Sequence, residues 1–209
     1  MLDLHLEVLR KPQRALWELF QGNPAVLRDH GFTLAGGTAL ALQIGHRESQ
    51  DFDFFSQERG IEPVRTWLER LPGFLSREMD ADTVHGELGG VKVSFIAGYR
   101  YPPVMPPVAA GALSLTHIED IALMKMMALT HRAALRDYID LAAIMRSRKT
   151  LSSLLGKSRE KFGDRFNVAL ALRAMVHFGD LDGEMPVLLD AALASSWQDI
   201  LRNAVKEAA

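Results

Sequence analysis

The sequence predicts an α+β protein, with a first half in which strand-like runs alternate with helices and a second half that reads as an α-helical bundle. Three observations carry that prediction. Polar and apolar residues alternate in residues 51–55 and again on both sides of Gly89-Gly90, the period of two that half-buried strands show. After Ser114, apolar residues recur at helical spacing almost without interruption. Between the two regimes lies GYRYPPVMPPVAAG, rich in proline and glycine, which reads as a loop or linker near residues 98–111. The boundary is placed there, giving an α/β domain over 1–113 and a helical domain over 114–209.

Residues 1–20 carry apolar positions at helical spacing, and Pro12 suits the opening of a second short helix because its missing N–H is harmless there. Phe32-Thr33-Leu34-Ala35, then Gly36-Gly37-Thr38, then ALALQIG read as strand, tight turn and helix. In Asp51-Phe52-Asp53-Phe54-Phe55 both carboxylates share one strand face. Residues 63–71 form an amphipathic helix. DTVHGEL and VKVSFI then make a hairpin about Gly89-Gly90. Pairing Leu88 with Val91 sets Glu87 against Lys92 and His85 against Ser94, with Val84, Leu88, Val91, Val93 and Phe95 on the apolar side. Helical segments follow at 117–132 and 133–147, then near 150–161, 165–178 and 186–206.

A core of sizeable volume is available, since 48% of the 209 residues are hydrophobic. A net charge of −2 excludes a chain that coats polyanions with its whole surface, so any nucleic-acid contact must be local. One segment qualifies: residues 132–165 hold nine Lys/Arg against four acids. The lack of cysteine excludes disulfides, thiolate zinc sites, iron–sulfur clusters and cysteine nucleophiles, and fits a cytoplasmic location. The charged N-terminus lacks the apolar run of an export signal, and no uncharged apolar run reaches the roughly 18 residues of a membrane span. A cytoplasmic protein without a membrane partner is expected.

Two groups of residues point to chemistry. A glycine pair at a strand-to-helix turn lets backbone approach a ligand, and the helix N-terminus beyond it favours phosphate; an ordinary turn capped by Thr38 is the alternative. Asp51 and Asp53 face the same way and suit a hard cation such as Mg²⁺ that also binds nucleotide phosphates; a solvated edge strand is the alternative, against which the interleaved aromatics speak. On the helix from residue 118, Ile118, Ala122, Lys125, Leu129 and Arg132 form a largely apolar stripe. Lys125 either faces a cleft from that stripe or pairs with Asp137 or Asp140 as a structural ion pair. Met124, Met126 and Met127 read as core filling, and His85 as a hairpin residue.

LAGGTALALQIGHRESQDFDFF resembles the Gly-Gly-Ser/Thr, spacer, Asp-x-Asp signature of the polymerase-β-like nucleotidyltransferases. With GVKVSF, LTHIEDIALMKMMALTHR and RDYIDL in order behind it, the stretch from about residue 34 to 141 resembles the AbiEii/AbiGii toxin family. The resemblance implies a mixed sheet with flanking helices followed by a helical C-terminal part. It also implies transfer of a nucleotide from an NTP to an acceptor, RNA such as tRNA or a protein, by a toxin with a cognate antitoxin. By the same resemblance, Gly36, Gly37 and Thr38 match the phosphate-cradling turn and Asp51 and Asp53 the pair that holds Mg²⁺. Lys125 matches the lysine that reaches the triphosphate and Asp137 the acid of the R-D-x-x-D-L motif, with Arg47 and Arg132 as further phosphate contacts.

One departure stands out. The superfamily carries a third carboxylate on a later strand, where this sequence has Ser94. Glu87 or Asp137 would then have to substitute, or a single metal would bind. Two other readings follow from the same residues: a kinase-like phosphotransferase, and a nucleotide-binding module without catalysis.

Overall fold

The computed structural model describes residues 3–146 and 150–208, which fall into two compact units, Met1–His117 and Ile118–Ala209. In the first unit a 3₁₀ turn, Leu6–Val8, precedes α1, Lys11–Gly22, which Pro12 opens. There follow α2 (Pro24–Arg28), β1 (Thr33–Ala35), α3 (Gly36–Ile44), β2 (Phe52–Phe55) and α4 (Glu62–Glu69). The strands β3 (Phe74–Met79), β4 (Thr83–Leu88), β5 (Val91–Ile96), β6 (Val108–Ala110) and β7 (Leu113–Leu115) complete the unit.

These strands form one seven-stranded sheet in the order β3-β4-β5-β2-β1-β7-β6. It is mixed: β1 runs parallel to β7 and β2 parallel to β5, while the other neighbours are antiparallel. The hairpin has the register expected from its turn, with Leu88 opposite Val91, Glu87 opposite Lys92 and His85 opposite Ser94. Alternation then decides the faces. Phe52, Phe54 and Phe95 are buried on one side, where Phe20 of α1 meets them edge-on at ring distances of 5.5, 5.0 and 6.2 Å. Phe54 stacks on Phe95 at 4.9 Å. Asp53 and Ser94, at the alternating positions, stay half-buried on the opposite face.

Two differences from the sequence reading have local causes. Val108–Ala110, inside the expected linker, is β6, because the residues after Pro106-Pro107 pair with β7 across a turn at Gly111. The sheet therefore extends to Leu115, beyond residue 113, through the pairing of Leu34 with Leu115. β3 gave no strand signal: it is an exposed edge strand with a register shift between Ser76 and Glu78, so no clean alternation develops.

The second unit holds α5 (Ile118–Leu129), α6 (Leu135–Arg146), α7 (Leu151–Phe162), α8 (Val168–Val176) and α9 (Ala191–Ala208). Ile121, Ala122, Leu123 and Met126 of α5 are all fully buried, so α5 is apolar nearly all round, and α6, α7 and α8 pack against it. Tyr138 of α6, Phe178 and Trp197 of α9 make an aromatic cluster with ring distances of 5.1–6.4 Å. Thr150 and Asn167 accept from the N–H groups of Ser153 and Leu170 and so cap α7 and α8. Among the described residues no helix is long and apolar enough to cross a membrane.

Candidate functional site

β1 leads directly into α3 at Gly36, whose φ of +66° is a left-handed conformation that glycine adopts without steric cost. Ala35 precedes the helix and offers no side-chain cap to its first N–H groups. A Cβ at Gly36 would stand 3.1 Å from Asp53 Oδ2, so the bare backbone is what allows the Asp53 carboxylate to lie against the opening of α3. Gly37 and Thr38 follow in the first turn. Thr38 is buried, and its hydroxyl donates to the Asp51 carbonyl while meeting Ser49 Oγ. Thr38 thereby ties α3 to the segment that delivers Asp51. Its hydroxyl is engaged there, so it is not free to cap α3.

Asp53 sits in a row that crosses the sheet. It is paired with Ala35 of β1 on one side and with Ser94 of β5 on the other, and Ser94 is paired with His85 of β4. Paired residues on neighbouring strands point to the same face. His85 Nδ1 lies 3.0 Å from Ser94 Oγ. The row borders an open concavity of about 410 Å³ whose lining includes Arg77, His85, Glu87, Lys92 and Ser94. Glu87, a substitute acid in the sequence reading, accepts from Arg77 Nη2 at 3.2 Å. Asp51 stands one residue before β2 and is half-buried like Asp53.

Among the described residues no group of three or more His, Cys, Asp and Glu side chains is placed to hold a metal ion by itself. The Asp53 carboxylate beside the N-terminus of α3, with Asp51 two residues before it, offers hard oxygens of the kind that suit Mg²⁺, which takes one or two protein carboxylates and completes its shell with water and substrate phosphate. Arg47, a phosphate contact by resemblance, is 3% exposed, and its Nη1 donates to the Glu48 carbonyl at 2.9 Å.

In the second unit Lys125 Nζ lies 2.5 Å from Asp137 Oδ1 and 2.7 Å from Asp140 Oδ2. All three side chains are nearly or fully buried. Burial opposes the charged amine, but the carboxylates of Asp140 and Asp137 outweigh it and hold the Lys125 ammonium above the usual lysine range. Burial, and then the Asp137 charge, raise the neighbouring Tyr138 hydroxyl. Arg132 is not on the apolar stripe: α5 ends at Leu129, and Arg132 is exposed in the following turn with Nε 2.9 Å from Asp137 Oδ2. Two cations thus meet two acids.

The basic segment is also altered by the fold. Lys157 pairs with Glu119, Lys161 with Asp120 in a buried contact, and Arg146 Nη1 with Asp190 Oδ2 at 2.6 Å. Arg146 lowers the Asp190 carboxyl by that hydrogen bond. The excess of positive charge counted along residues 132–165 is therefore largely matched by acids from outside it, while Arg159 and Arg165 remain exposed. Arg148 and Lys149 lie outside the described residues. The clamp by Ser49 and the acids Glu119 and Asp120 escaped the sequence reading, since nothing local marks a residue whose partner is some ten to forty positions away.

The family model described as nucleotidyl transferase AbiEii toxin, type IV toxin–antitoxin system, matches residues 17–208. An uncharacterized protein of Aquifex aeolicus (strain VF5) is 32% identical over 159 residues, covering 74% of this chain and 77% of its own length. Among solved structures, the nucleotidyltransferase toxin MenT4 of Mycobacterium tuberculosis H37Rv shares the fold with a TM-score of 0.59 at 19% identity, over 96% of this chain and 86% of that one. JHP933 of Helicobacter pylori does so with a TM-score of 0.52 at 18% identity, over 96% and 94% of the two chains.

Proposed function

Because the chain belongs to the AbiEii nucleotidyl transferase toxin family, we propose that it transfers a nucleotide from an NTP to an acceptor hydroxyl, with RNA such as tRNA as the acceptor, as the toxin of a toxin–antitoxin pair. The observation that supports this reading is that Asp53 Oδ2 comes within 3.1 Å of where a Cβ on Gly36 would stand, so an acid of the kind that binds metal lies beside a helix N-terminus of the kind that binds phosphate. The backbone at Gly36 and Gly37 receives the triphosphate. Asp51 and Asp53 would hold Mg²⁺, which would supply neutralisation of phosphate charge there. Thr38 fixes the spacing of turn and acids.

Lys125, Asp137 and Arg132 enter this reading through the family motifs. Lys125 and Asp137 contribute the lysine and acid of those motifs, and Asp140 keeps the lysine charged. Arg132 is the exposed cation of the group, and Arg47 is a buried support of the segment before Asp51. An NTP substrate and the lack of cysteine fit a cytoplasmic location, and a cognate antitoxin is the expected protein partner.

The test is incubation of the full chain with Mg²⁺, total RNA and each NTP labelled at the α or the γ phosphate, with Asp53→Asn as control. Transfer of α label that the variant loses supports the reading and identifies the nucleotide and acceptor class. Transfer of γ label alone replaces it with a kinase-like phosphotransferase, and NTP binding without either transfer replaces it with the binding module that Ser94 raises.

A further inference from the structure

The hydrogen-bonded pair His85–Ser94 lies next to Asp53 in the cross-sheet row and has no part in the assignments above. We propose that this pair is the proton acceptor for the attacking hydroxyl, taking over at the position where related enzymes carry a third carboxylate; the inference rests on the nucleotidyl-transfer reading. Three observations carry it. Ser94 is the direct parallel-strand partner of Asp53, so its hydroxyl is on the face where Asp53 presents its carboxylate. His85 Nδ1 is 3.0 Å from that hydroxyl, within reach for proton exchange. Both residues are half-buried and line the same open concavity of about 410 Å³, which gives an acceptor access to them.

The step balances. With the ring proton of His85 on Nε2, Nδ1 accepts the Ser94 hydroxyl proton as Ser94 Oγ accepts the proton of the acceptor hydroxyl. The acceptor oxygen forms the bond to the α-phosphorus, the bond from that phosphorus to the bridging oxygen breaks, and pyrophosphate leaves. His85 finishes protonated on both nitrogens and returns its proton to water. A serine hydroxyl alone is too weak a base for this, which is why the imidazole behind it matters.

The charged groups around His85 come from every strand packed against it: Arg77 and Glu78 on β3, Glu87 on β4, Lys92 on β5, and Asp53 beyond Ser94 on β2. Arg77 and Glu87 are paired with each other. No single sign of charge surrounds the ring.

The experiment measures α-label transfer by the full chain between pH 5 and 9 for the wild type, His85→Gln, Ser94→Ala and the double variant His85→Gln/Ser94→Asp. Glutamine retains a hydrogen bond to Ser94 but cannot take the proton. The expected result for His85→Gln is a fall in kcat of about 10²-fold, the usual size of general-base assistance, with little change in KM for the NTP. The wild type should lose rate on the acid side of neutrality and His85→Gln should not, and the double variant should recover rate through its restored carboxylate. Ser94→Ala should lose the same acid limb and decides the matter if His85→Gln does not fold. An active wild type whose kcat and pH profile are unchanged in His85→Gln overturns the proton-acceptor role alone. A wild type that transfers no α label overturns nucleotidyl transfer, and the role of the pair with it.

Discussion

Gly36 and Asp53 are in such close approach that a single added carbon on the glycine would stand 3.1 Å from the aspartate Oδ2. The turn that opens α3 and the strand that carries the acid are thus one structural feature. Gly36→Ala combines a left-handed backbone, costing about 1–2 kcal/mol for an L side chain, with displacement of the Asp53 carboxylate. Transfer should fall by about 10²-fold, since small misplacements of reacting groups have effects of that size. Melting temperature and kcat measured together check this: an active variant with lowered stability would separate the turn from the acid.

Thr38 acts through the backbone of Asp51. Thr38→Val keeps the shape and deletes the hydroxyl, leaving the Asp51 carbonyl and Ser49 Oγ without it. The expected loss is about 1–3 kcal/mol, with a drop in transfer, and Thr38→Ser should restore both. Urea unfolding of the two variants makes the comparison.

The buried group Lys125–Asp137–Asp140 joins α5 to α6. Removing the buried cation of this group, in Lys125→Met, leaves two buried carboxylates poorly compensated and should cost about 3–5 kcal/mol. The pH dependence has a definite sign. A lysine held above its unfolded value contributes fully below that value, about 10.4, and loses its contribution as pH rises through the folded one. The stability gap between wild type and Lys125→Met should therefore be flat from pH 7 to about 10 and narrow only above. A gap that closes between pH 7 and 9 would show that the amine is not held charged.

At Gly86, β4 lies close against β3. A Cβ there would lie 2.5 Å from Phe74 Cε2 and 2.9 Å from the Leu75 carbonyl oxygen, and the backbone atom cannot swing aside. Gly86→Ala should destabilise the first unit by about 1–3 kcal/mol and loosen β3. Hydrogen exchange of the Leu75 and Ser76 amides, faster in the variant with β5 amides unchanged, is the check.

Local pattern alone determined much of this protein. Alternation and a two-glycine turn carry the whole β4–β5 register, because a hairpin's pairing is set by its turn and its apolar face. That Gly36-Gly37 stands at a strand-to-helix turn and that Asp53 lies on the following strand with Asp51 just before it was legible, since each depends on a conformation or spacing that spans few residues. The tertiary structure alone decided which groups face one another. Asp53 gained Ser94 as neighbour through a parallel pairing forty-one positions apart, which no turn encodes. Lys157 and Lys161, countable only as positive charge in the sequence, became ion-pair partners of Glu119 and Asp120 when α7 packed on α5. Lys125 acquired two carboxylates where periodicity could say only that it lies on an apolar stripe. Periodicity reports which face a side chain takes, whereas its partner is chosen by packing between segments distant in the chain.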